Sequence, residues 1–260
     1  MDYTEKDRLV YESISKRYGK KDVLKKLSGS FPNKQITSLI GPNGAGKSTL
    51  LSVLSRLIKQ DGGHVSFYDK ELSSYKGADL AKKLSILKQS NHLDLKLTVR
   101  DLVSFGRFPY SQGKLSDTDW EKIDEAIAFS DLVDLKDAYI DELSGGQRQR
   151  AFISMIIAQD TEFILLDEPL NNLDMKHAVH VMKTLRRLVE EKNKTIIIVI
   201  HEINFAAQYS DHIIALKDGE IAYDDTTNNV IDPVILKDIF DIDFDIIEHK
   251  NKKICNYFNL

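Results

Sequence analysis

The chain has 260 residues, 42% hydrophobic and 29% charged, with a formal net charge of −4 and one cysteine. That length supports one domain-sized unit with a substantial core. The acidic balance, without a basic stripe, argues against a nucleic-acid binder, and Cys255 alone excludes an intramolecular disulfide. No apolar run approaches the ~20 residues needed to span a bilayer, and no secretory leader opens the sequence, so a reducing cytoplasm is the expected setting.

In chain order, residues 1–88 begin as antiparallel β structure around Tyr18, continue into a buried strand at Ile36–Ile40 and reach a further strand at residues 65–68. After Ile40 comes GPNGAGKST, which fits the pattern G-x-x-x-x-G-K-[ST] with Gly41, Gly46, Lys47 and Ser48 in the fixed places. Leu50, Leu51, Val53, Leu54, Leu57 and Ile58 then follow helical spacing. Strand, loop and helix in that order make a phosphate-binding loop. Its glycines turn consecutive backbone N–H groups toward bound phosphates, and the helix N-terminus adds partial positive charge. Lys47 is expected to reach the β- and γ-phosphates of ATP, and the Ser48 hydroxyl to ligate Mg²⁺. Pro42, Asn43, Gly44, Ala45 and Thr49 complete the candidate cradle.

The texture changes from Gln89 to about Asp160, where strand-like runs are scarce and residues 98–105 and 119–132 carry helical periodicity, with starts at Thr98 and Asp117. This reads as an inserted helical subdomain, residues 89–160, and it contains LSGGQ at residues 143–147. Four apolar residues, 163–166, then end in Asp167 and Glu168, a buried parallel strand delivering two carboxylates to its C-terminal edge. Ligands bind at that edge in open α/β sheets. Asp167 is expected to hold the Mg²⁺ shell through water and Glu168 to act as the general base on the attacking water. In isolation such a pair reads as a helix cap or solvated turn; a phosphate loop in the same chain reverses the balance.

A helix is expected at residues 175–191, strands at 195–200, 212–216 and 221–223, and a hairpin turn at Asp218-Gly219. Residues 161–225 thus rejoin 1–88 in one core. The tail, 226–260, holds an amphipathic stretch and a short apolar alternation, and Cys255 within it reads as a packing residue. Runs such as residues 191–194 and 250–253 read as solvated charge. His177 and His180 lie three apart on a helix; without a third ligand in the sequence nearby, exposure is the simpler reading than a shared metal.

On the phosphate loop, LSGGQ and FILLDEP together, the chain resembles the ATP-binding cassette (ABC) ATPases over nearly its whole length. The resemblance implies an α/β fold, a phosphate-loop NTPase core of mostly parallel sheet with an antiparallel β subdomain and the inserted helical subdomain. It implies that Tyr18 stacks on adenine, in preference to the alternative that an aromatic there merely packs on the sheet. Gln89 would contact the metal and attacking water, and Ser144, Gly145, Gly146 and Gln147 would bind the γ-phosphate of ATP held by the other protomer. Asp174 matches the loop running along the dimer interface, where Asn171 and Asn172 replace the smaller residues more usual in the family. His201 matches the switch histidine that contacts the γ-phosphate. Because the signature acts in trans, two copies must close head to tail around two ATP molecules.

The segment SFGRFPY, residues 104–110, resembles the ATPases of iron-siderophore and cobalamin importers, and DEPLNNLDMKH, residues 167–177, the Gram-positive siderophore branch. The resemblance therefore implies the ATPase subunit of an iron-siderophore importer, a homodimer on the cytoplasmic face of the membrane. Its partners would be two integral-membrane permease subunits and, indirectly, an extracytoplasmic binding protein. Arg107 and Tyr110 would lie near the groove receiving the permease, or serve ordinary packing. The cargo, whether siderophore, haem or cobalamin, would be read by other chains. A soluble ABC ATPase that remodels DNA or ribosomes is disfavoured by the single cassette and compact insert, and an exporter ATPase by the siderophore-like segment.

Overall fold

The computed structural model describes residues 8–89, 95–250 and 252–258. The ends of the expected core and tail, the stretch just after Gln89 and Asn251 within the charge run at 250–253 lie outside the described residues. In chain order the strands are β1 (Leu9–Tyr18), β2 (Lys21–Ser30), β3 (Ile36–Ile40), β4 (Gly62–Phe67), β5 (Lys70–Glu71), β6 (Leu84–Leu87), β7 (Phe163–Asp167), β8 (Thr195–Val199), β9 (His212–Lys217), β10 (Glu220–Thr226), β11 (Asp245–His249) and β12 (Lys252–Asn256). The helices are α1 (Lys47–Leu54), α2 (Gly77–Ala81), α3 (Val99–Ser104), α4 (Phe108–Ser111), α5 (Asp117–Phe129), α6 (Gly145–Ala158), α7 (Met175–Lys192), α8 (Ile203–Tyr209), α9 (Thr227–Val230) and α10 (Pro233–Phe240). Two compact units divide them: residues up to Ser74 with those from Thr195 onward, and Tyr75–Lys194.

In the first unit β3 lies between β9 and β8 and is parallel to both, with Leu39 opposite Val199 on one side and Ile214 on the other. Every residue of β3 and of β8 is buried. Strands covered on both faces have no polar side to alternate with, so ITSLI and TIIIV are near-continuous apolar and β-branched runs. β10 folds back antiparallel on β9 through Asp218 and Gly219, whose φ values of 51° and 81° are both left-handed, as a two-residue hairpin of this hand requires. A second, antiparallel sheet runs β2-β1-β4-β5. The strand expected at residues 65–68 starts earlier, at Gly62, and stops at Phe67, because Tyr68 and Asp69 turn left-handed (φ 49° and 56°) to join β4 to β5. The tail supplies α10, from its amphipathic stretch, and the antiparallel hairpin of β11 and β12, from its apolar alternation.

The second unit pairs β6 with β7 in parallel, Leu84 opposite Phe163, and gathers α3, α5 and α6 around Val99, Leu102, Val103, Ile123, Ile127, Phe152 and Ile156, all buried. Each of these helices starts on a capping box: Thr98 with Asp101, Ser116 with Asp119, and Ser144 with Gln147. The helix of residues 119–132 starts at Asp117, as expected, on its Ser116 cap and ends sooner, at Phe129; Asp131 takes φ 53°, which no helix continues. Gly106 lets the 3₁₀ turn after α3 sit directly on α6, since a Cβ there would lie 2.1 Å from the Met155 carbonyl oxygen.

Candidate nucleotide site

The residues singled out fall in both units. Tyr18, the phosphate loop and His201 belong to the first; Gln89, residues 144–147, Asp167, Glu168 and Asp174 belong to the second.

In the first unit the loop leaves buried β3 at Gly41 and enters α1 at Lys47. Two glycines are dictated by geometry. Gly41 has φ 134° and a Cβ would meet the Leu216 carbonyl oxygen at 2.0 Å; Gly46 has φ 106° and a Cβ would press on Leu24 and on the Val23 carbonyl oxygen. Gly46 also stands at the N-cap of α1, where it brings no side-chain acceptor. Asn43 and Gly44 are exposed at the crest, and the Ala45 N–H donates to the Pro42 carbonyl. Lys47, 4% exposed, curls over the loop and donates from Nζ to the carbonyl oxygens of Gly41 (2.7 Å) and Pro42 (3.0 Å). Ser48 and Thr49 are half-buried in the first turn.

A cleft of about 610 Å³ opens beside Pro42–Ala45, walled also by Lys21, Lys25 and Lys217, within the size range of nucleotide-sized ligands. Tyr18 ends β1 at the hairpin opposite Lys21, half exposed, with Lys16 Nζ 5.7 Å from its ring centroid. His201 follows β8 in an exposed turn, and α8 begins two residues later on a Glu202 cap that accepts from the Asn204 N–H.

In the second unit β7 delivers Asp167, 7% exposed, and then Glu168, whose φ of 51° turns the chain out of the strand. The Glu168 carboxylate accepts from Gln89 Nε2 at 2.7 Å, so the structure joins these two predicted site residues directly. Asn171 Nδ2 donates to the same Oε2. The departure from the family's smaller residues is therefore a second donor on the candidate base, a partner that sequence spacing alone had not assigned. The signal was there: Asn171 lies three residues past Glu168, where a turn brings a side chain back.

The signature is a helix start. Ser144 Oγ accepts from the Gln147 N–H (3.3 Å), and Gln147 Oε1 accepts from the Ser144 N–H (2.9 Å), leaving Gly145 exposed and Gly146 buried at the positive end of α6. Asp174 caps α7 through the His177 N–H at 2.8 Å. The His177 ring then lies against Gly146, where a Cβ would come within 2.1 Å of it. His177 is thus a neighbour of the signature. His180 faces Asp131 at 3.3 Å, and burial, followed by the Arg150 charge, holds its imidazole below the ordinary value. Among the described residues no group of three His, Cys, Asp or Glu side chains is placed to hold a metal.

Arg107 is a buried strut: Nε donates to Asp119 Oδ1 at 2.8 Å, Nη1 to the Ala158 carbonyl at 2.8 Å, and the guanidinium lies 4.0 Å from the Tyr110 ring centroid. The Ser116 backbone N–H, with the Ser116 hydroxyl and Arg107, holds the Asp119 carboxyl below its usual range. Burial pushes the Tyr110 phenol up. Phe105 and Phe108 beside them are 47% and 61% exposed, an aromatic surface carried on a polar, fully internal brace.

Cys255 is buried, and burial pushes its thiol up to about 11, the state of a packing residue. No helix among the described residues is long and apolar enough to cross a membrane.

The family described as ABC transporter matches residues 24–171. The chain is 54% identical to the petrobactin import ATP-binding protein of Bacillus subtilis (strain 168), over 95% of this chain and 98% of that one. It is 49% identical to a petrobactin import ATP-binding protein of Bacillus anthracis over the same shares, and 40% identical to the iron(3+)-hydroxamate import ATP-binding protein of B. subtilis over 97% and 95%. Among solved structures, an ABC transporter cassette in its ADP conformation matches with a TM-score of 0.79 at 26% identity, over 89% of this chain and 97% of that one. A dimeric bacterial ABC transporter cassette matches at 0.75 and 29%, over 84% and 98%. A family match over more than half of the chain and similarity that runs over 95% of it leave one assignment: this chain belongs to the ABC transporter family.

Proposed function

We propose that this chain is the ATP-binding and hydrolysing subunit of an importer that carries an iron-siderophore complex across the cell membrane. It works as a head-to-tail homodimer on the cytoplasmic face, beneath two integral-membrane permease subunits supplied by an extracytoplasmic binding protein. The observation that carries this reading is the end-to-end similarity to import ATP-binding proteins named for petrobactin and for iron(3+)-hydroxamate. The dimeric cassette among the solved structures supports pairing of two copies, and the exposed aromatic surface at Phe105 and Phe108 supports a protein partner. Residues 89–160 serve as the helical signature subdomain; those of them described as regular structure are helical. Residues 1–88 with 161–225 serve as the core, and 226–260 as a short extension.

Phosphoryl transfer to water needs in-line placement and neutralised charge more than covalent help. Gly41 to Thr49 cradle the phosphates with backbone N–H groups, Lys47 exchanges its loop carbonyls for phosphate oxygens, and Tyr18 stacks on adenine. Ser144, Gly145, Gly146 and Gln147 present the start of α6 to the γ-phosphate bound by the other copy, with Asp174 at that interface. Glu168, held by Gln89 and Asn171, takes the proton of the attacking water, and His201 contacts the γ-phosphate. The candidate metal donors, the Ser48 hydroxyl, the Asp167 carboxylate and the Gln89 amide oxygen, are all hard oxygens, the chemistry Mg²⁺ takes. These residues would hold it, and the bound ion would offset charge on the phosphate oxygens.

The test is capture of the tagged chain from detergent-solubilised membranes of its host, with mass spectrometry of what accompanies it. A many-spanning permease encoded beside an iron-complex binding protein is the expected result. Recovery of soluble partners alone, ribosomal or DNA-repair proteins for example, would overturn the transport assignment and leave the ATP chemistry standing.

A further inference from the structure

The tail is bonded through β12 to the helix that follows His201. Helix α8 starts two residues after His201 and has only seven residues, below the length at which a helix holds itself. Its Asn204 donates from Nδ2 to the Cys255 carbonyl (3.0 Å) and accepts from the Cys255 N–H at Oδ1 (2.8 Å), so the amide is read by β12 as another strand would be. One helical turn later, Gln208 Nε2 donates to the Lys253 carbonyl at 2.7 Å. Four helical residues advance about 6 Å and two strand residues about 6.8 Å, so the two bonds keep step. Lys252 Nζ returns a bond to the Gln208 carbonyl at 3.0 Å, and Lys253 Nζ fastens the strand to the carbonyls of Asn228 (2.7 Å) and Ile231 (2.8 Å).

The same tail walls a cavity of about 190 Å³ whose lining is His201, Ile203, Phe240, Ile242, Phe244 and Tyr257. Phe244 is central there, its ring centroid 6.0 Å from that of Phe240 and 5.5 Å from that of Tyr257. A tail present only to cover apolar surface would need the aromatic residues and nothing more. Four directed bonds between α8 and β12, two of them on one amide, instead fix the angle at which the chain leaves the His201 turn.

We infer that the C-terminal hairpin is a positioning element for the switch histidine, with Asn204 and Gln208 as the positioning residues that transmit the register of β12 to the His201 turn. This rests on the reading of His201 as the γ-phosphate contact. The role is one of geometry: the hairpin holds the turn that carries the imidazole.

The experiment uses the full chain carrying Asn204→Ala, Gln208→Ala or both, with steady-state ATP hydrolysis, affinity for a fluorescent ATP analogue and thermal midpoint measured on each. The double variant is expected to lose about tenfold to a hundredfold in kcat, the effect of a misplaced contact near the reacting group, with KM and nucleotide affinity unchanged to within about twofold. In a His201→Ala background the same substitutions are expected to remove nothing further from the residual turnover, because residues acting through one group are non-additive. Wild-type kcat in the double variant, or an equal further loss in the His201→Ala background, would overturn the inference. If the double variant does not fold, Gln208→Ala carries the test, since it leaves the Glu202 cap and both Asn204 bonds. A His201→Ala chain that hydrolyses ATP at the wild-type rate would instead sink the γ-phosphate reading, an outcome separate from failure of the hairpin's role.

Discussion

Substituting Glu168 by Gln separates the hydrogen bonds its carboxylate accepts from its proposed role as the base. As a structural acceptor, Oε2 takes one bond from Gln89 Nε2 at 2.7 Å and another from Asn171 Nδ2, in a residue whose φ of 51° already turns the chain. Glutamine has the same length and retains one amide oxygen able to accept both bonds, so stability should stay within about 0.5 kcal/mol of wild type. As a base, the amide is useless, and removal of a positioned base costs about 10² to 10⁴ in rate, or about 2.7–5.4 kcal/mol of transition-state stabilisation. The phosphate loop is untouched, so ATP affinity should persist, and with turnover stopped the ATP-bound dimer should accumulate. Phosphate release under saturating ATP measures the rate, and gel filtration with and without ATP measures the dimer. Hydrolysis within a few-fold of wild type, or a variant that remains monomeric with ATP, would refute the role given to Glu168.

Gly146→Ala should drive a Cβ into the His177 ring and cost about 1–3 kcal/mol, the usual price of overpacking; thermal unfolding of His177→Ala/Gly146→Ala should recover most of it, and no recovery would refute the contact. Arg107→Met should leave Asp119 buried with only its Ser116 bonds and cost about 3 kcal/mol in denaturant unfolding. Because the Asp119 carboxyl is held below its usual value in the folded chain, its contribution is complete above the ordinary carboxylate range and disappears as pH falls through the lowered value. Removing Arg107 raises that value, so the acid midpoint of Arg107→Met should move up in pH; an unmoved midpoint would show that the ion pair contributes nothing there.

The phosphate-loop unit was legible because its elements obey local rules. β3 shows as an unbroken apolar run since both its faces are covered, and the start of α1 is marked by glycines whose φ values no other residue tolerates. β8 and α7 were legible for similar reasons, to within a residue or two at their ends. Contacts between side chains far apart in sequence were not. Nothing in SFGRFPY announces that Arg107 turns inward to Asp119 and Ala158 while Phe105 and Phe108 turn out, because an arginine flanked by aromatics obeys the same spacing either way. Likewise nothing around Asn204 and Gln208 announces a partner, and only β12, 45–51 residues away along the chain, takes up both side chains.

Ser144 shows why a cap and a functional contact read alike in this family. The loops singled out at Gly46, Ser144, Asp174 and Glu202 each open a helix, in both units. A helix N-terminus carries roughly half a positive charge and points N–H groups outward, and the substrate is a polyanion whose transition state spreads charge over phosphate oxygens. At Ser144, Asp174 and Glu202 the cap side chain accepts one of those N–H groups itself. At Gly46 no side chain can, and that is the loop proposed to cradle phosphate. An acceptor-bearing residue in place of Gly46 would therefore compete with ATP for the first turn of α1 as well as collide with Leu24 and the Val23 carbonyl, so the glycine answers to the ligand and to the packing at once.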